Sequence, residues 1–272
     1  MPTRKINGVE LYVETYGSGA VILGIHGTPS SALLWVDAAR ELASAGRCVI
    51  YDRRGFSRSE RPAPFEALDL ADHVEDAVAL LDTVSAPPAV IIGRSTGGQI
   101  ALAIAHRHPD RVRALVLLEP ALFTVDPLAR DWAARLRATI LRAAADDPSS
   151  ASEVVFREAL GDYAWESLPD DLQDMFRLAS PAVLAEIRGQ GLDLSERPLD
   201  LSSDELARID QPALIVSAED SPEVLRRVND RLAEALPHAA TVLVPGGHLI
   251  HPAHPVVLEF IGRVLAPPDR QR

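Results

Sequence analysis

With 272 residues, 47% of them hydrophobic and 24% charged, the chain has an ordinary globular composition and enough apolar material for a sizeable core. A formal net charge of -12 sets the average surface against nucleic acid and anionic membranes, so neither is expected as a partner. Cys48, the single cysteine, leaves no disulfide framework and no thiolate metal site, and the N-terminal stretch lacks the apolar run of a signal peptide, so a cytoplasmic protein is expected.

The elements read in order as an α/β alternation. Residues 8–14 alternate apolar and polar side chains, as in an exposed antiparallel strand, whereas 20–25 is a continuous apolar run suited to a strand buried on both faces. Apolar spacing predicts a helix over 32–45 stopped by Gly46, then a strand at 47–51 carrying Cys48 as a buried inert thiol, a polar loop over 52–64 and a helix over 68–84. A strand at 89–92 runs into Gly93-Arg94-Ser95-Thr96-Gly97-Gly98, and a helix follows to about 108. Residues 112–118 are another buried strand, ending at Glu119-Pro120. From 122 to 210 the alternation stops. Helix-like stretches at 128–145, 152–160 and 170–189 predict a helical cap inserted between two core segments, 1–121 and 211–272. The core resumes with a strand at 213–217, a helix at 223–236, a strand at 240–244 and a helix at 255–265. The fold class is α/β, a mostly parallel central sheet flanked by helices, with ligands beyond the carboxyl ends of its strands.

Residues 93–97 have the G-x-S-x-G form of a nucleophile elbow, in which a serine sits in a strained strand-to-helix turn and side chains two positions away would collide with it. The following helix points its unpaired N–H groups at any oxygen that becomes negative beside Ser95. A serine hydroxyl needs a base whose pKa is near neutrality. Of the eight histidines, His248, after the last strand and the pair Gly246-Gly247, is the candidate; His26 reads as a loop-fixing residue.

The set HGTPSSALLW, Asp52 with Gly55 and Ser59, GRSTGG and PGGHLIHPAHP, in that order, resembles the α/β-hydrolase superfamily over nearly the whole chain. HGTPSSALLW is similar to the matching segment of haloalkane dehalogenases, but Ser95 stands where those enzymes carry an aspartate, and Ser57 stands where many members have a second glycine. The resemblance implies a triad of Ser95, His248 and a carboxylate, with the backbone N–H groups of Thr28 and Thr96 as oxyanion donors. The carboxylate has two candidates. Glu119, 24 residues after Ser95, resembles the strand-end glutamate of some haloalkane dehalogenases and resorcylic-lactone hydrolases, and is preferred. The alternative is Asp220, although Ser217-Ala218-Glu219-Asp220-Ser221-Pro222 is out of the usual register: with Ala218 in the glycine position, Ser221 takes the acid's place.

Leu122, Phe123, Trp132, Trp165, Met175 and Phe176 from the cap region, with Trp35 and Leu249 from the core, are the candidate pocket wall. Arg94, the variable residue of the elbow, is expected in a structural ion pair, with an acidic substrate group as the other partner considered. The expected activity is hydrolysis of a carboxylic ester or lactone of a largely apolar small molecule, with no cofactor and no metal. Carbon–carbon bond hydrolysis and cofactor-free perhydrolysis use the same triad, and a ligand-binding receptor of this fold is the non-enzymatic alternative.

Overall fold

Eight strands form one sheet in the order β1-β2-β4-β3-β5-β6-β7-β8. They are β1 (Thr3–Ile6), β2 (Val9–Tyr16), β3 (Val21–Ile25), β4 (Arg47–Tyr51), β5 (Ala89–Arg94), β6 (Val112–Leu118), β7 (Ala213–Ala218) and β8 (Ala239–Val244). The β1–β2 and β2–β4 pairs are antiparallel and all others are parallel. The computed structural model describes residues 2–84 and 88–266, so the segment limits at 1 and 272 lie outside the described residues.

Strand β1 has no counterpart in the sequence reading. Its hairpin with β2 turns on Asn7-Gly8, both with positive φ (47° and 85°), the conformation a two-residue hairpin turn requires. Asn-Gly was the signal available, but only four residues precede it in the strand, too few for an alternation to stand out.

Alternate residues of the parallel strands serve different cores, which is why these strands read as unbroken apolar runs. Leu23, Ile91 and Leu117 pack on one face, with α2 (Leu70–Thr83), α3 (Thr96–Arg107) and α10 (Glu223–Ala235); Ile22, Ile92 and Val116 pack on the other, with α1 (Val36–Leu42) and α11 (Pro255–Leu265). Cys48 is fully buried in the second cluster, and burial pushes its thiol up to about 12. No helix among the described residues is long and apolar enough to cross a membrane.

Between β6 and β7 lie six α-helices: α4 (Pro127–Asp146), α5 (Ala151–Leu160), α6 (Asp162–Glu166), α7 (Asp170–Arg177), α8 (Ser180–Arg188) and α9 (Ser203–Leu206). The single helix expected over 170–189 is two, because Pro181 falls in the first turn of α8; without an N–H and with its ring against the preceding turn, it cannot continue α7. Helices α6 and α9, of five and four residues, are too short for a 3.6-residue period to register. Ala129, Ala133, Leu136 and Ile140 of α4 and Val183 of α8 join the same apolar cluster as the sheet face beneath them.

Asp126 fastens this insertion at its start. Its carboxylate caps α4 by accepting the Leu128 and Ala129 amides at 3.0 and 3.2 Å, and it takes a two-pronged contact from Arg227 of α10 at 2.9 Å for each prong. The hydrogen bond from Arg227, aided by those amides against the opposing effect of burial, lowers the carboxyl from 3.8 to about 2. A depressed carboxylate stabilises the fold above its unfolded pKa and loses that contribution as pH falls through the folded one. Asp126→Ala should therefore cost at least the ~1 kcal/mol typical of a lost helix cap. In urea titrations the gap from wild type should be full above pH 3.8 and should close as pH approaches about 2.

Candidate active site

Ser95 occupies the step from β5 to α3 with φ 54° and ψ -124°, a region forbidden to most side chains. Gly93 and Gly97 make this turn possible: a Cβ on Gly93 would lie 2.2 Å from the Gly97 carbonyl oxygen, and one on Gly97 would lie 2.2 Å from that of Ile25. Gly27 permits the next approach, since its absent Cβ would stand 3.0 Å from Ser95 Cβ, and this brings the Thr28 loop against the serine. The amides of Thr28 and Thr96 donate to no protein acceptor among the described residues.

Glu119 also has positive φ (47°), at the end of β6, and is fully buried. Its Oε1 accepts the Ala218 amide at 2.8 Å; its Oε2 accepts the Ser221 hydroxyl at 2.7 Å and lies 2.7 Å from His248 Nδ1. Asp220 is exposed, with its amide turned back to the Gly246 carbonyl. The geometry thus pairs His248 with Glu119. Ser221, in the register position where the acid was sought, braces that glutamate. A carboxylate holding Nδ1 fixes the imidazole in the tautomer whose Nε2 is a base. Ser95 and His248 line the same cleft, although no hydrogen bond joins them among the described residues.

That cleft is mostly apolar. Of the expected wall residues, Phe123, Trp132, Phe176 and Leu249 line it. Four do not. Trp35 is fully buried in the core on the other face of the sheet, and Leu122 lies in the core beneath the cleft. Trp165 stands behind Phe156 and Phe176 in an aromatic cluster, and Met175, beside that cluster, faces an outer groove with Leu178. Residues at one helical spacing can point either way from a thin layer of helices, so apolarity alone does not separate lining from packing. Leu136, Val155, Phe156 and Leu194 line the cleft without having been singled out. So does Asp193, whose carboxyl is pushed up to about 7 by burial and by nearby Glu186.

Under the Thr28 loop lies a buried ionic network that sequence reasoning missed, because its members are far apart in the chain. Arg53, after β4, donates from Nη2 to the Gly27 carbonyl at 3.1 Å and to the Thr28 hydroxyl, and from Nη1 to Glu186 of α8. The Thr28 hydroxyl donates to the other oxygen of Glu186 at 2.7 Å, and His73 Nε2 lies 3.2 Å from Glu186. Its hydroxyl is thereby occupied, leaving the amide as the donor available to a ligand. Burial alone would raise the Glu186 carboxyl; Arg53, with His73 and Thr28, reverses this and holds it below the usual range. His26 has the loop-fixing role expected of it, its Nε2 accepting the Arg53 amide at 3.0 Å and its Nδ1 2.8 Å from the Gly27 carbonyl. Burial, then Arg53, keeps His26 well below its ordinary pKa. Arg94 forms no ion pair among the described residues, contrary to expectation; its Nη1 reaches the Ile250 carbonyl at 3.5 Å.

Residues 20–255 match the profile of a family described as the alpha/beta hydrolase fold. An uncharacterized hydrolase, YraK, of Bacillus subtilis is 35% identical over 120 residues, 44% of each chain. A 2-hydroxymuconate semialdehyde hydrolase of a Pseudomonas species is 38% identical over 117 residues, 42% of this chain and 41% of that one. These matches therefore span less than half the length of the curated relatives. A solved structure described as an N-acyl homoserine lactone degrading enzyme superposes with TM-score 0.73 at 24% identity, covering 97% of this chain and 100% of the other.

If Glu186 neutralises Arg53, Glu186→Ala strands a buried guanidinium and should destabilise the fold by about 3–5 kcal/mol in urea unfolding, with Glu186→Gln losing less.

Proposed function

The chain belongs to the α/β-hydrolase family, and on that premise we propose that it is a serine hydrolase of a carboxylic ester or lactone whose body is largely apolar. One observation carries this reading: a serine in a strained elbow shares a cleft with a histidine whose Nδ1 is held 2.7 Å from a buried glutamate.

His248 Nε2 takes the Ser95 proton as Oγ attacks the carbonyl carbon, and the carbonyl π electrons move onto oxygen. The Thr28 and Thr96 amides donate to that oxyanion. Collapse expels the alcohol, which receives the proton from His248 and leaves an acyl-serine. Water, deprotonated by the same imidazole, attacks the acyl carbon and regenerates Ser95 with release of the acid. Throughout, Glu119 stabilises the imidazolium and fixes its orientation. For a lactone, the expelled alcohol stays tethered to the acyl group.

Carbon–carbon bond hydrolysis is the second reading, supported by the likeness to the 2-hydroxymuconate semialdehyde hydrolase over part of the chain. It differs in its leaving group, a carbanion that must be protonated at carbon. Parallel assays with an aryl ester, a lactone and a vinylogous diketone separate the two. Many product molecules per chain from excess substrate would exclude a receptor that binds without turnover.

Ser95→Ala should lower kcat by a factor on the order of 10^6 if the three groups act as a unit. A fluorophosphonate should label wild type and spare that variant; near-normal activity in Ser95→Ala would remove the mechanism. On an activated aryl ester, Glu119→Gln should lose about 10^3 to 10^4 in kcat/KM, while Asp220→Asn, altered at the surface, should stay near wild type.

A further inference from the structure

Three arginines that follow β4 have carboxylate partners. Arg53 pairs with Glu186, Arg54 with Asp76 and Asp72, and Arg58 with Asp52. Arg94 has none. It is only 6% exposed, lines the cleft beside Ser95, and rests its guanidinium 5.6 Å from the centre of the Trp35 ring. Its hydrogen bonding among the described residues is a single long contact, 3.5 Å from Nη1 to the Ile250 carbonyl, against five donor hydrogens.

From this geometry, and resting on Ser95 as the nucleophile, we propose that Arg94 is a specificity-determining residue that binds a carboxylate on the substrate. The substrate class is then an ester or lactone with a free carboxylate a few bonds from the scissile carbonyl. A buried cation with unfilled donors is costly unless a partner arrives, and a planar guanidinium fork suits a carboxylate. Burial lowers its pKa to about 10, which leaves it charged at neutral pH. Asp193, the other ionisable side chain of the cleft outside the proposed triad, does not pair with it, and burial brings that carboxyl to about 7, which weakens its repulsion of an incoming anion. Phe123, Trp132, Leu136 and Phe156 form the apolar wall for the rest of the molecule. The fitting ligand is therefore amphipathic, with one anionic end at the elbow.

Monomethyl and dimethyl glutarate differ only in a free carboxylate, and their hydrolysis is followed by proton release. The kcat/KM ratio of monoester to diester should fall on the order of 10- to 100-fold in Arg94→Met, mainly through KM of the monoester, and less in Arg94→Lys, which keeps the charge. An equal ratio in wild type and Arg94→Met overturns the proposal. Should Arg94→Met fail to fold, Arg94→Gln and Arg94→Lys give the same comparison. Calorimetric titration of monomethyl glutarate into Ser95→Ala, with and without Arg94→Met, separates the two inferences. Binding that needs Arg94 in a chain whose wild type turns over neither ester sinks the serine-hydrolase reading and keeps the carboxylate subsite. Turnover with a ratio that Arg94→Met does not move, or no binding by Ser95→Ala, removes the subsite.

Discussion

A sheet buried on both faces can offer polar side chains only where its strands stop. Within β3, β5 and β6 the apolar residues divide between the two apolar clusters, so a charge at those positions would be stranded. The chain accordingly places Ser95 after β5, Glu119 after β6 and His248 after β8, all at carboxyl ends. Two of these three have positive φ without being glycine, a conformation that costs of order 1–3 kcal/mol per residue. The surrounding ladder compensates: the Ser95 amide donates to the Leu118 carbonyl and the Glu119 amide to that of Val216.

The elbow was legible because its pattern is local, two glycines and a serine within five residues. Glu119 was legible only as one of two acids, since the choice depends on which strand end faces His248. Ser221, at the register position of the usual acid, serves that acid instead: its hydroxyl donates to Glu119 and helps hold it toward the imidazole. Ser57 was likewise noted as replacing a glycine, and it does adopt a glycine-like φ of 46°.

The cleft wall was less legible, and for a physical reason. Trp35 and Trp165 were selected as large and apolar, yet both are nearly fully buried in packing clusters, while Phe156, Leu136 and Leu194 reach the cleft. Helices one layer deep bury side chains on two sides, against the core and against each other, and one hydrophobic stripe encodes both. The buried network was invisible for a different reason. Arg53 and Glu186 are 133 residues apart, and nothing in either neighbourhood announces the other.

The Arg53–Glu186 contact makes α8 the doorpost of the helical layer. Lifting α8 from the sheet would part a buried ion pair and release the Thr28 hydroxyl together with it, at a cost of about 3 kcal/mol or more. Such a state holds roughly one molecule in a hundred at most. Among the described residues the aromatic cluster of Phe156, Trp165 and Phe176 has no such ion pair to the core; its arginine contacts, from Arg157 and Arg177, arise within the layer itself. The ion pair thus anchors the layer at α8, next to the Thr28 amide expected to meet the oxyanion, and not at α5–α7.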